Sequence, residues 1–173
     1  MKKILVVVLA MLMLVLAVSC NKDGTPDGMQ NASIEGAAYN FYVPDTWVTV
    51  TESGVSCAKA TVGNNAPNAT LMVYYPDSVI TPNDHWQVNC LPEYRTVLQN
   101  IVVHEDGSDV TLGGKDAKKY VFSYTVGTDS YQCQQVIAVY DYQVYVLTYT
   151  ALADAYDTHV ADVESMLTHF AFK

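Results

Sequence analysis

The densest group of residues that could bind a metal ion lies in the middle of the chain. His104, Glu105, Asp106 and Asp109 place one imidazole and three carboxylates within six residues. Carboxylate oxygens suit hard cations, and imidazole is a common ligand of transition metals. One segment rarely encloses a cation without ligands from elsewhere. These four residues are therefore weak candidate metal ligands, and a polar turn before 110–112 is the favoured interpretation.

No segment has the spacing of a known nucleophilic or phosphate-binding motif. The sequence around Ser56 has alanine where a nucleophile elbow requires its second glycine. His85 and Cys90 are the nearest histidine–cysteine pair, but residues five apart on a helix point about 140° apart. Gly113-Gly114 lacks the remaining residues of a phosphate loop. We therefore predict no catalytic residue, no cofactor and no enzymatic activity.

Residues 1–19 have the pattern of a bacterial export signal that ends at a lipidation site. Two lysines follow the first residue, an apolar run covers 4–18, and a serine precedes Cys20. The run is shorter than the about 20 residues of a membrane-spanning helix, and its flanks are typical of a signal peptide. Because 16–20 resembles the lipobox of bacterial lipoproteins, we predict that Cys20 is acylated and anchors the chain outside the cytoplasm. Simple secretion and an uncleaved anchor are the alternatives, and the choice between cell membrane and outer membrane stays open.

The residues after this cysteine predict a tethered domain with an acidic surface. Residues 20–33 are rich in turn formers and almost free of large apolar side chains, which indicates a flexible linker before a folded domain over 34–173. The chain has 9 basic against 18 acidic residues. Nucleic acid is excluded as a partner because phosphate contacts need clustered Lys and Arg. The acidic body should also avoid anionic headgroups, which leaves the N-terminal lipid as the membrane contact.

Three cysteines belong to the predicted domain: Cys57, Cys90 and Cys133. Outside the cytoplasm they permit one disulfide and one remaining thiol, in three pairings that spacing does not decide. Three buried thiols are an equal alternative, because cysteine often behaves as a small apolar residue. The sequence leaves both arrangements open.

Strand patterns dominate the domain. They are strongest in three segments rich in Tyr, Val and Thr, namely 118–125, 131–140 and 143–151. Asp141-Tyr142 is short enough for a tight hairpin between the last two. Weaker strand patterns cover 40–43, 47–51, 56–62 and 69–75.

Two segments have helical spacing. Thr81 is a good N-cap for a helix that Pro92 should divide, with the second piece continuing to Val102. Asp154 should cap a final helix whose apolar stripe ends at Phe170. Layer packing then predicts an α+β domain, in which helices sandwich an antiparallel sheet of about six or more strands.

Two further stretches have a clear structural interpretation. Phe41, Pro44 and Trp47 form an aromatic corner in which Pro44 fixes one torsion and Trp47 buries a large ring. Gly113 and Gly114 permit positive φ in a turn before an aromatic strand.

Together with the aromatic strand over 144–151 and the final helix, these stretches resemble the PsbP-like proteins, which share the Mog1/PsbP fold. The resemblance covers about 39–172. It implies a helix–sheet–helix sandwich that serves as an adaptor or assembly module and is usually not an enzyme. Plant members support the oxygen-evolving centre of photosystem II, and lipoprotein relatives in non-photosynthetic bacteria have no agreed role.

The sequence therefore predicts a lipid-anchored protein that acts through contact with a protein partner of unknown identity. The alternative is a carrier of a small ligand or metal, using a cleft between sheet and helix. Such a cleft would be rimmed by tyrosines or by His104 and its neighbouring acids. The chain has 13 tyrosines, and an aromatic binding patch on one sheet face could be formed by Tyr74, Tyr75 and the series Tyr140, Tyr142, Tyr145 and Tyr149. Ordinary strand composition is the favoured interpretation of these tyrosines.

Overall fold

The computed structural model describes residues 24–52, 54–63 and 65–173. The predicted signal peptide over 1–19 and the predicted lipidation site Cys20 lie outside these residues. None of the helices within the described ranges is long and apolar enough to cross a membrane.

Antiparallel strands make up most of the domain. In chain order they are β1 (Met29–Asn31), β2 (Tyr39–Asn40), β3 (Tyr42–Pro44), β4 (Val48–Glu52), β5 (Val55–Lys59), β6 (Asn68–Tyr74), β7 (Gln99–Leu112), β8 (Lys115–Val126), β9 (Asp129–Tyr140), β10 (Gln143–Leu152) and β11 (Ala171–Phe172). Seven of them form the main sheet, in the order β4-β5-β6-β10-β9-β8-β7. Two small pairs, β1 with β3 and β2 with β11, lie outside it.

The hairpin between β9 and β10 forms as the sequence predicts. Asp141 and Tyr142 have φ of 48° and 59°, and Tyr140 pairs with Gln143 across the turn. Positive φ at both central residues is the geometry of a type I′ turn, whose twist matches that of the flanking strands.

Each face of the sheet buries its own apolar cluster, because side chains alternate along the strands. In β10, Tyr145, Leu147 and Tyr149 belong to a core that includes residues of the C-terminal helix. Val144 and Val146 belong to a second core, which contains Trp86 and other residues of the central helices. Helices on both faces give the predicted α+β sandwich.

The central helical segment has three consecutive parts. These are α1 (Pro82–Asp84), a π-helical stretch (His85–Cys90) and α2 (Leu91–Val97). Thr81 caps the start as predicted: its Oγ1 accepts from the Asp84 amide at 3.1 Å, and Asp84 Oδ2 accepts from the Thr81 amide at 3.3 Å. The wider π turn, which bonds residues five apart, sits in the middle of this segment.

The prediction that the second helical piece continues to Val102 is wrong. The helix ends at Val97, Leu98 is extended with ψ of 150°, and Asn100 has φ of 53°. The chain then enters β7, which pairs with β8 over its whole length and carries Ile101 and Val103 onto the second core. Residues 98–102 are not helical because pairing with β8 stabilises the extended conformation. Such tertiary contacts outweigh a weak intrinsic preference for helix.

Both ends of the domain also differ from expectation. The final helix does not start at Asp154: a 3₁₀ turn over Tyr156–His159 precedes α3 (Val160–His169), and no side chain caps it. The prediction of a flexible linker over 20–33 is wrong for the last part of this range, because Met29–Asn31 forms β1, which pairs with β3. The reason is that Met29 is buried, so this segment packs onto the domain rather than extending into solvent.

Candidate functional site

The predicted metal ligands lie on β7 and bind other parts of the chain. The prediction of a polar turn at this position is wrong, since the segment is strand. His104 Nε2 is 2.8 Å from Ser123 Oγ on β8, and Asp106 Oδ1 accepts from the indole N–H of Trp86 at 3.0 Å. These bonds fix both side chains to their neighbours.

The two other candidates form ion pairs with β8. Asp109 Oδ1 is 2.7 Å from Lys118 Nζ, and Glu105 Oε1 is 3.3 Å from Lys119 Nζ. Within the described part of the chain, no group of three or more His, Cys, Asp or Glu side chains could hold a metal ion. The structure therefore does not bring His104, Glu105, Asp106 and Asp109 together into a cation site.

The aromatic corner and the glycine pair support the core. Phe41 and Trp47 are buried, Pro44 ends β3, and the Trp47 indole N–H donates to Asp162 Oδ2 of α3 at 3.0 Å. Gly113 and Gly114 have φ of 57° and 73° in the turn between β7 and β8.

All three cysteines of the domain are buried thiols. Burial raises the pKa of Cys90 to about 11 and that of Cys133 to about 12. Cys133 Sγ also lies 2.8 Å from Thr150 Oγ1. A thiolate is the reactive form of cysteine, so raised pKa values indicate unreactive structural residues.

An open cleft of about 760 Å³ lies between the end of β6 and the central helical segment. Its floor and walls come from β6, the loop over 75–80, the π-helical stretch and α2. The lining residues are Met72, Tyr74, Tyr75, Pro76, Asp77, Ser78, Ile80, His85, Asn89, Cys90, Glu93 and Tyr94. This is the cleft between sheet and helix that the sequence allowed as an alternative.

His85 is the most unusual side chain of the cleft. It is only 5% exposed, and its ring lies 5.0 Å from the ring of Tyr74. Asn89 Nδ2 donates to His85 Nδ1 at 3.2 Å, which places the ring proton on Nε2. Nε2 is buried and has no partner within the described structure. An unpaired buried donor costs about 1–3 kcal/mol, so this atom is a candidate for bonding a bound group.

The charged lining residues of the cleft are all acidic. Asp77 and Glu93 are its two carboxylates, and neither forms an ion pair with any residue the structure describes. Burial raises the pKa of Tyr74, and the nearby Cys90 and Glu93 raise it further. Burial and Glu93 raise the pKa of Cys90. Burial lowers the pKa of His85, so this imidazole adds no positive charge at neutral pH.

An aromatic patch adjoins the cleft. We define it as Tyr75, Val79 and Tyr142, which are 76%, 82% and 78% exposed. Val79 and Tyr142 line one shallow hollow that shares Pro76, Ser78 and Ile80 with the cleft. The other tyrosines predicted for a surface series lie elsewhere: Tyr145 and Tyr149 are core residues, and Tyr140 is half-buried.

Comparison with solved structures identifies the architecture. Cyanobacterial PsbP (CyanoP) from Synechocystis superposes with a TM-score of 0.61 at 14% identity, over 90% of this chain and 98% of that one. The domain has a PsbP-like fold. LpqN, involved in cell envelope biogenesis of Mycobacterium tuberculosis, gives 0.56 at 21% identity, over 84% and 91% of the two chains.

A third structure with a similar fold is the Pseudomonas aeruginosa protein PA94, of unknown function. Its TM-score is 0.57 at 14% identity, over 82% of this chain and 94% of that chain. No family model matches the sequence, and a search of curated proteins finds no match. The predicted PsbP-like fold is therefore confirmed by structure alone.

The site of this PsbP-like domain was only partly visible in the sequence. The sequence presents Tyr74 and Tyr75 as an aromatic pair, but it presents His85 only as the histidine nearest to Cys90. The contact between His85 and Tyr74 joins a helix to a strand, and periodicity within one element does not reveal such a contact.

We expect the PsbP-like domain to lose stability in acid through His85. Its pKa is lowered in the folded state, so the unfolded chain binds the proton more readily. The stabilisation is present above the unfolded value of about 6.5 and is lost as the pH falls below it. Urea unfolding at pH 7.5 and 5.5 should show a smaller acid loss for His85→Gln than for the unchanged chain. Equal losses would contradict this role, and an NMR titration of the His85 ring measures the pKa directly.

Proposed function

We propose that this protein is a lipid-anchored component of the bacterial cell envelope whose domain binds another protein and catalyses no reaction. The aromatic patch is the observation that carries the proposal. Tyr75, Val79 and Tyr142 expose most of their surface. A cluster of large apolar side chains on a protein surface usually marks a binding site.

The composition of the patch is that of a protein interface. Aromatic residues are enriched at the centres of interfaces, and polar residues surround them. Here two tyrosines and a valine are flanked by Asp77, Ser78 and Asp141, which line the same cleft and hollow. A binding partner would cover the apolar atoms and leave the polar rim in contact with water.

The position of the anchor supports a partner at or near the membrane. Nine residue steps separate Cys20 from Met29, the first residue of β1, and an extended chain spans at most about 3.6 Å per residue. The domain would thus stay within about 32 Å of its lipid. LpqN, described as involved in cell envelope biogenesis, has a similar fold and fits the same location.

A ligand carrier is the second candidate function. The unpartnered Nε2 of His85 favours it, because a bound acceptor would satisfy this buried donor. The cleft volume of about 760 Å³ lies within the range of small-molecule sites. Its open shape favours a protruding group of a larger molecule over an enclosed small ligand.

Site-specific photo-crosslinking in intact envelopes tests the protein-contact function. A photoreactive phenylalanine analogue at Tyr75 should give a discrete adduct with one partner. The same analogue at Ala161, an exposed position on α3, should give no such adduct.

The variant Cys20→Ser tests the anchor in the same experiment. It should leave the membrane fraction and lose the Tyr75 adduct, because the domain is no longer held near its partner. Equal labelling from Tyr75 and Ala161 would contradict the contact function. Membrane retention of Cys20→Ser molecules whose mass shows that residues 1–19 have been removed would contradict lipid anchoring at this residue.

A further inference from the structure

We infer that the cleft beside the aromatic patch receives a lysine or arginine side chain from a basic segment of the partner protein. This inference rests on the proposed protein-contact function and adds the chemistry of the partner. It concerns a surface formed by β6, the loop over 75–80 and the central helical segment.

Charge is the first argument. Asp77 and Glu93 line the cleft, no Lys or Arg is among its lining residues, and both carboxylates lack an ion-pair partner within the described structure. Two unpaired carboxylates in a concave surface attract a cation, because the low-dielectric walls focus their field. An anionic partner would meet repulsion with no compensating donor charge.

Aromatic walls are the second argument. Tyr74, Tyr75 and Tyr94 line the same cleft, and the face of a tyrosine ring attracts a cation through its quadrupole. The aliphatic stem of a lysine or arginine would pack on Met72 and Ile80, which are also lining residues. Long basic side chains combine such an apolar stem with a charged head.

Size and polarity distinguish a protein segment from a free amine. The cleft holds about 760 Å³, more than one basic side chain occupies, and it opens directly onto the aromatic patch. A peptide main chain also carries carbonyl acceptors, and the buried Nε2–H of His85 lacks an acceptor within the described structure. A simple amine offers the charge but not the acceptor.

Fluorescence anisotropy with the full chain in uncharged detergent micelles tests this inference. The probe is a fluorescein-labelled short peptide of alternating lysine and alanine, and the comparison peptide has glutamate in place of lysine. We expect binding of the lysine peptide alone, with an affinity that falls as ionic strength rises. Glu93→Gln should weaken it about tenfold, and Asp77→Asn should weaken it in the same direction.

The matched control is Glu164→Gln, which removes the same charge from an exposed position on α3 at the other face of the sheet. It should bind the lysine peptide as the unchanged chain does, and all variants should keep the thermal unfolding midpoint. Equal weakening by Glu93→Gln and Glu164→Gln would overturn the inference, since the attraction would then be unspecific.

n-Butylamine is the small-molecule comparison, because it carries the charge of a lysine side chain without a carbonyl acceptor. If it binds as tightly as the peptide, the cleft is a carrier site for free cations and the inference is overturned. If no peptide binds while Tyr75 still gives its crosslinked adduct, the protein-contact function stands and the basic partner is wrong. Loss of both signals would reject the contact function itself.

Discussion

Replacing Trp86 with alanine is expected to lower the free energy of unfolding by about 3–5 kcal/mol. The side chain is fully buried, and its ring stacks on Tyr120 at 4.4 Å and lies 5.5 Å from Phe122. Its indole N–H also donates to Asp106 at 3.0 Å. The truncation therefore removes packing atoms from the second core and leaves a cavity between the π-helical stretch and the sheet. Urea unfolding followed by circular dichroism measures the change.

Trp86→Phe is the matched control for this prediction. It retains an aromatic ring against Tyr120 but loses the bond to Asp106 and part of the volume. We expect a loss between those of the unchanged chain and the alanine variant. A loss below about 1 kcal/mol for Trp86→Ala would contradict the central place of this residue in the core.

Gly113→Ala should destabilise the domain by about 2–4 kcal/mol for two separate reasons. The residue has φ of 57°, a left-handed conformation that residues with a Cβ rarely adopt. A Cβ at this position would also lie 2.9 Å from the ring of Phe172 and 3.0 Å from that of Phe170. Phe170 belongs to the core that includes the C-terminal helix, and Phe172 packs against that core, so a shift there disturbs several contacts.

Gly114→Ala separates the two causes. Gly114 also has positive φ, 73°, but a Cβ there would meet nothing within 4 Å. Its cost should be that of backbone strain alone, about 1–2 kcal/mol. Equal losses for the two variants, measured by urea unfolding, would mean that Phe172 moves aside and the steric reason is wrong.

The strands that the sequence predicted best are those with regular alternation. In β8, β9 and β10 the side chains follow the two faces without interruption, so the pattern of Tyr, Val and Thr was sufficient. The N-cap at Thr81 was equally clear, because its hydroxyl and Asp84 act within four residues. Local chemistry decided these features.

The strand β7 escaped prediction because its pairing with β8 shifts register at three places, between Gln99 and Ser108. Each bulge adds a residue and reverses the alternation, so His104, Glu105 and Asp106 look like a polar turn. The cleft could not be predicted for another reason. His85 meets Tyr74 only after the helical segment folds back onto β6, and no spacing in the sequence encodes that distance.

The same irregular strand bears on the proposed attachment of this domain to a membrane. Molecules anchored in a membrane diffuse in two dimensions and reach a high local concentration. An exposed, flat edge strand would then pair with the edge strand of a neighbouring copy through main-chain hydrogen bonds. The two edge strands of this sheet are β4, which has five residues, and β7, whose three bulges would interrupt a continuous ladder of hydrogen bonds with another strand. Edge strands that are bulged or very short resist such self-association. If the chain is anchored as proposed, the bulges of β7 would protect a crowded population of these molecules from polymerising through their sheets.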